Sequence, residues 1–159
     1  TCSAAFSRLC PAVAVESGLP GEPEGVDAVV RFVSESLELP DPVHHVEFGV
    51  DLFHTVAVVK VAAGCTCGRA GEGVDVELDP VIERYNFREI PPGTRLAKVR
   101  GDGEACIQVE PFTRVASESW LHIQDGELTV ARSIMPAMLT SDPEIVKWDC
   151  LCYLMERLE

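Results

Sequence analysis

The stretch His44 to Gly68, HHVEFGVDLFHTVAVVKVAAGCTCG, constrains the fold more than any other part of the chain. Thr55 to Ala63 is a near-continuous run of β-branched and small apolar residues, the pattern of a strand covered on both faces. Ahead of it, Val46, Phe48 and Val50 alternate with polar or small neighbours, which reads as a half-buried strand. Gly64 breaks the pattern and delivers Cys65 and Cys67 at the strand's exit. This hairpin-like unit is expected to be the core around which the rest packs.

At 159 residues the chain can build one domain with a proper core, or one domain plus a piece of another. No apolar run reaches the length needed to span a bilayer, and residues 1–20 lack the basic region and apolar core of a secretory signal. The formal charge is −13, which opposes sequence-independent binding of nucleic acid by the whole surface. The bases are unevenly spread: Arg84, Arg88, Arg95, Lys98 and Arg100 lie close together in sequence and form a candidate basic patch. The plainer reading is a solvated face flanked by Glu83 and Glu89. Seven cysteines is an odd count, which fits a reduced chain with some thiols given to metal better than a secreted disulfide framework.

Taken in order, residues 1–20 read as a strand and turns, and Gly18 to Gly25 as a linker or exposed loop. Val26, Val29, Val30, Val33 and Leu37 recur at helical spacing, so a short helix is expected there before Pro40. Val74 to Leu78 alternates as a strand, and residues 79–94 carry turn chemistry around Tyr85 and Phe87. Leu96 to Val99 and Cys106 to Val115 read as two strands of a hairpin turning at Gly101-Asp102-Gly103. Leu121 to Ile123 is a short strand before Asp125-Gly126, and Leu128 to Leu139 fits either strand or helix. Ser141-Asp142-Pro143-Glu144 opens a final helix. Ile145, Trp148, Cys152 and Met155 form its apolar stripe, widened by Leu151, Leu154 and Leu158. The expected class is therefore mostly β, with short antiparallel strands, long coil connections and one C-terminal amphipathic helix.

No nucleophile elbow, phosphate-binding loop, zinc-protease motif or dinucleotide fingerprint is present. Cys65 or Cys67 with His54 could be written as a thiol and base, but the spacing proves nothing, since catalytic partners meet in space rather than in sequence. His44-His45 reads as an exposed loop pair rather than a metal site. Cys65-x-Cys67 and Cys150-x-Cys152 contain four thiols, but structural zinc hairpins space their cysteines more widely. Cys152 also falls on the apolar stripe, where a buried free thiol is the simpler reading.

Four segments in order resemble a known family: TCSAAFSRLCPAVAVESG at 1–18, VEFGVDLFHTV to CTC at 46–67, VELDPVIERY at 76–85, and IQVEPF to LTVARSIMPAMLTSDPEI at 107–145. The family is the first domain of the non-structural protein 5A of hepatitis C virus and its relatives, which this chain resembles as a distant member would, from a pegivirus or another distant relative rather than hepatitis C virus itself. The resemblance covers all but the last dozen or so residues, and the Met-Leu-Thr to Asp-Pro boundary is its most specific part.

The resemblance implies two subdomains, with residues 1–20 the remnant of a small zinc-holding sheet and residues 21–159 a coil-rich β subdomain. It implies Cys2 as the fourth ligand of a zinc whose other three cysteines would precede Thr1, so the intact domain would hold zinc and this fragment alone would not. It also implies a disulfide from Cys67, with Cys150 or Cys152 substituting for the family's usual partner, which is missing around Trp120 and Leu121. RNA binding through a basic groove at a dimer interface would fall here to Arg84, Arg88, Arg95, Lys98 and Arg100, against the charge of −13.

The implied function is a non-enzymatic organiser of a viral RNA replication complex. It would act as a homodimer, bind the viral polymerase and host proteins, and be held on the endoplasmic reticulum membrane only by an amphipathic helix ahead of this domain, leaving the fragment soluble. Trp120 and Trp148 are candidate interface anchors, with core packing the alternative for each. Two rivals remain: an adaptor with an oligonucleotide-binding barrel, using residues 94–125 as strands and 142–158 as packing helix, and a cysteine-dependent enzyme with a low-pKa thiol beside a histidine.

Overall fold

The computed structural model describes residues 15, 23–38, 51–101, 103–112 and 119–158. The chain divides into two compact units, Thr1–Phe48 and Gly49–Glu159; the expected division after residue 20 falls on residues outside those described. In the first unit the helical spacing is realised as α1, Pro23–Glu38. A proline in the first turn suits a helix start because its missing N–H would have no intrahelical partner there. Val26, Val30, Val33 and Leu37 on α1 are exposed. Val46, Phe48 and Val50, like Cys2, Cys10 and His44-His45, lie outside the described residues.

The second unit is mostly β. Its strands are β1 (Phe53–Val61), β2 (Cys67–Arg69), β3 (Val76–Leu78), β4 (Arg95–Val99), β5 (Ile107–Pro111), β6 (Leu121–Gln124), β7 (Glu127–Val130), β8 (Met135–Ala137) and β9 (Cys152–Arg157). Two short helices interrupt them, α2 (Gly103–Cys106) and α3 (Pro143–Trp148), with a 3-10 turn at Ile82–Tyr85. One sheet runs β5-β1-β9-β8 and is antiparallel throughout; the other runs β2-β3-β4-β7-β6 and is antiparallel except for the β2–β3 pair. Residues from both sheets join one contiguous apolar cluster that includes Val59, Leu78, Leu96, Leu128, Ile134 and Leu154.

The β-branched run forms β1, with Val56 to Val59 all buried and strands β5 and β9 on its two sides. It is a central strand rather than half of a hairpin, because the chain leaves it through Gly64 and enters the other sheet at β2. The Asp125-Gly126 turn closes the β6–β7 hairpin with positive φ at both positions, 53° and 76°. That geometry matches the twist of the flanking strands. The expected hairpin at Gly101-Asp102-Gly103 does not form. Strand β4 lies in one sheet and β5 in the other, with α2 inserted between them. Five strands do not close into a barrel either: residues 95–99 and 121–124 belong to one open sheet and 107–111 to the other.

The C-terminal helix is real but short. Asp142 caps α3, its Oδ1 accepting from the Glu144 N–H at 3.0 Å, with Pro143 in the first turn. The helix then stops at Trp148, and residues 152–157 form β9 between β1 and β8. Cys152 and Leu154 are buried with period two, and Ile145 and Trp148 of the expected stripe are exposed. The slot between two strands, which satisfies backbone groups along both edges, outweighs the helical spacing.

Candidate functional site

The basic cluster divides in two. Strand β4 and the residue after it place Arg95, Lys98 and Arg100 around a cavity of about 380 Å³, also lined by Glu77 and Asp79; Arg84 and Arg88 do not line it. Arg95 donates from Nε and a terminal nitrogen to Asp79 Oδ2 at 2.9 and 2.8 Å, and from the other terminal nitrogen to Glu127 at 3.0 Å. Arg100 donates to Glu77 at 2.9 Å. Lys98 stands in register with Glu77 on one side and Glu127 on the other. Three cations thus face three carboxylates, and the local charge cancels.

Glu77 is only 5% exposed and is satisfied by the loop that precedes it. Its carboxylate accepts from the N–H groups of Gly71 at 3.2 Å and Gly73 at 2.9 Å. Both glycines have positive φ, 91° and 74°, which turns successive N–H groups toward one anion. These two donors, and then the Arg100 guanidinium, hold the Glu77 carboxyl below the usual glutamate range. Arg84 and Arg88 stand on and just after the 3-10 turn, exposed and without an ion-pair partner among the described residues.

The thiols are arranged differently from expectation. Cys65 is bonded to Cys106, with Cα atoms 5.7 Å apart, and Cys67 is a free, half-buried thiol at the start of β2. The pairing of Cys67 with Cys150 or Cys152 is therefore corrected. The turn after β1, in which Cys65 N–H donates to Ala62 O at 2.9 Å, holds Cys65 at the end of β1. There the Ala62 N–H donates to Cys106 O at 2.9 Å, which brings the start of β5 alongside. Cys67, two residues on, already belongs to the other sheet, opposite Val76.

His54 lies near the opposite end of β1, roughly 23 Å along the strand from Val61, so no thiol–imidazole pair forms with Cys65 or Cys67. Burial pushes the Cys67 thiol up, pushes Cys150 up to about 11, and raises Cys152 further. Among the described residues no group of three or more His, Cys, Asp or Glu could hold a metal ion. With iodoacetamide at neutral pH, Cys67 is expected to react more slowly than it does in denaturant, and Cys150 and Cys152 only as the protein unfolds. Rapid alkylation of Cys67 in the native protein, read by peptide mass, would contradict this placement.

The two tryptophans part company. Trp120 is buried, and its Nε1 donates to Glu156 Oε1 at 2.9 Å, an oxygen also paired with Arg132 at 2.6 Å. It is a core residue with a satisfied indole, not an anchor. Trp148 is 91% exposed at the end of α3, and Ile145, one turn earlier, is also exposed. Val146 on the same helix is buried and fixes α3 to the body.

Two further apolar residues, Phe87 and Met138, are exposed and have left-handed backbones with φ 57° and 64°; Phe87 lies in the turn region expected around it, as the third residue of a type II turn in which Asn86 has φ −55° and ψ 130° and the Arg88 N–H donates to Tyr85 O at 3.2 Å. Left-handed residues other than glycine, asparagine and aspartate have no composition signature. Among the described residues no helix is long and apolar enough to cross a membrane. The chain matches no family model, no curated protein and no solved structure.

Proposed function

We propose that the chain is a non-enzymatic binding domain that self-associates. We further propose that it organises an RNA replication complex in the way the first domain of the hepatitis C virus non-structural protein 5A does. The observation that carries the binding reading is Trp148, 91% exposed on a capped helix whose other side is anchored in the core. A large, rigid, exposed aromatic beside an exposed Ile145 is the composition of an interface anchor. The family part rests on the four ordered segments alone. The raised thiols and the bonded Cys65 argue against the cysteine enzyme, and the two open sheets argue against the oligonucleotide-binding barrel. The proposal does not extend to RNA, because Arg95 is paired with Asp79 and Glu127, Arg100 is paired with Glu77, and the chain carries −13.

Sedimentation equilibrium tests the reading. A reversible dimer is expected, and Trp148→Ala should weaken it by about thirtyfold, the effect of losing a hot-spot aromatic. Added salt should strengthen the dimer by screening two acidic protomers from each other, the opposite of the salt response of nucleic-acid binding. A chain that stays monomeric at high concentration and high salt would overturn the self-association.

A further inference from the structure

Helix α1, Pro23–Glu38, carries an apolar stripe that stands open to solvent. Val26, Val30, Val33 and Leu37 are 65%, 59%, 48% and 82% exposed. Their alternating spacing of four, three and four residues is the seam of a two-helix contact, in which each side chain enters a hole on a facing helix. Burial on α1 is confined to Gly25, with Ala28 and Val29 half-buried, on the side of the helix away from Asp27. Four branched aliphatic side chains in line on one exposed face form the kind of patch that marks a partner surface. A helix of this length is marginal in water without packing of its apolar face, so a partner laid along the stripe would also stabilise it.

The charges beside the stripe define the partner. At 3.6 residues per turn, Asp27 and Glu38 border it, and Glu24 and Glu35 stand behind them on the same side. All four are exposed, and none has an ion-pair partner among the described residues. Arg31 is the only cation of the helix, one guanidinium against four carboxylates, which leaves three net negative charges on α1. We propose that α1 docks a basic amphipathic helix of another protein. Its aliphatic side chains would seat on Val26, Val30, Val33 and Leu37, and its Lys or Arg residues would meet Asp27 and Glu38. A second copy of α1 would bring the same excess of carboxylates and no basic flank to meet them. Helices that lie in a membrane interface rely on Lys and Arg along their polar face, and an anionic bilayer would repel this one. The inference goes beyond the self-association through Trp148 and does not depend on it.

Fluorescence anisotropy on the full chain tests it. The probe is a labelled peptide with Leu at heptad positions a and d, Lys at e and g, and Ala elsewhere. Its controls are the same peptide with Glu at e and g, and a scrambled Lys peptide that has no apolar stripe. Cosedimentation with vesicles of phosphatidylcholine, with and without phosphatidylserine, is the membrane arm. The Lys peptide is expected to bind at least about tenfold more tightly than either control, and more weakly as salt rises. V30A, V33A and L37A together should cost at least about tenfold. They should cost no helix by circular dichroism, because alanine is the better helix former. D27K with E38K should cost a similar factor and flatten the salt dependence. W148A should leave peptide binding unchanged while weakening the dimer, and the triple alanine variant should do the reverse, so the two readings fail separately. No binding of the Lys peptide, equal binding of either control, undiminished binding by the alanine variant, or vesicle binding in place of peptide binding would each overturn the docking helix.

Discussion

Reducing the Cys65–Cys106 disulfide is expected to lower the stability of the unit Gly49–Glu159 by about 4 kcal/mol. The bond closes a loop of 41 residues, and the chain-entropy model assigns about that much to a loop of this length. The loop contains β2, β3 and β4 and returns to α2, so the cross-link ties the end of β1 in one sheet to a chain that has just left the other. Domains of this size are commonly stable by about 5–15 kcal/mol, so the bond accounts for a large share. Urea unfolding with and without reductant measures the difference. Cys65→Ala, Cys106→Ala and the double variant should all fall by similar amounts, because each removes the same bond. Cys67→Ala should not reproduce the loss. An unfolding midpoint indifferent to reductant would show that the bond contributes nothing in solution.

Replacing Leu154 with Ala is expected to cost about 3 kcal/mol, and replacing Trp148 with Ala no more than about 0.5 kcal/mol. Leu154 is fully buried in β9, with Ala57 of β1 on one side and Pro136 of β8 on the other. Its removal leaves a void between strands that are held by their own ladders and cannot close in. Trp148 is exposed and touches little of the core. A long C-terminal helix built on the Ile145, Trp148, Cys152 and Met155 stripe would reverse the order, with Trp148 the costly loss. Thermal or urea unfolding of the two variants separates strand from helix, and similar losses in both would reject the strand.

Several local features were legible because local chemistry decides them. The run Thr55 to Ala63 has no polar face, so it had to be covered on both sides, and β1 is. Asp125-Gly126 suits two successive positive-φ positions, and Asp142-Pro143 suits a helix start; both are realised. Asp102-Gly103 resembles the first of these, yet its flanking strands go to different sheets. A turn dipeptide states that the chain reverses and not which strand it then pairs with. The basic residues show the same limit. Their sign is in the sequence, but whether Arg95 and Arg100 face solvent or Glu77 and Asp79 depends on cross-strand register.

The sequence by itself determined that this chain is mostly β around the strand of Thr55 to Ala63, with helix starts and tight turns where cap and turn residues stand. These are fixed by backbone preferences and apolar patterning over a few residues. Only the tertiary structure decided that Cys65 pairs with Cys106 and leaves Cys67 free, since connectivity depends on which distant backbones meet. The same holds for Cys152 to Arg157, whose apolar residues fit either period until the open edges of β1 and β8 supply hydrogen bonds along both sides. It also decided that Phe87, Met138 and Trp148 stand outward, because no local pattern records whether a neighbour arrives to cover them.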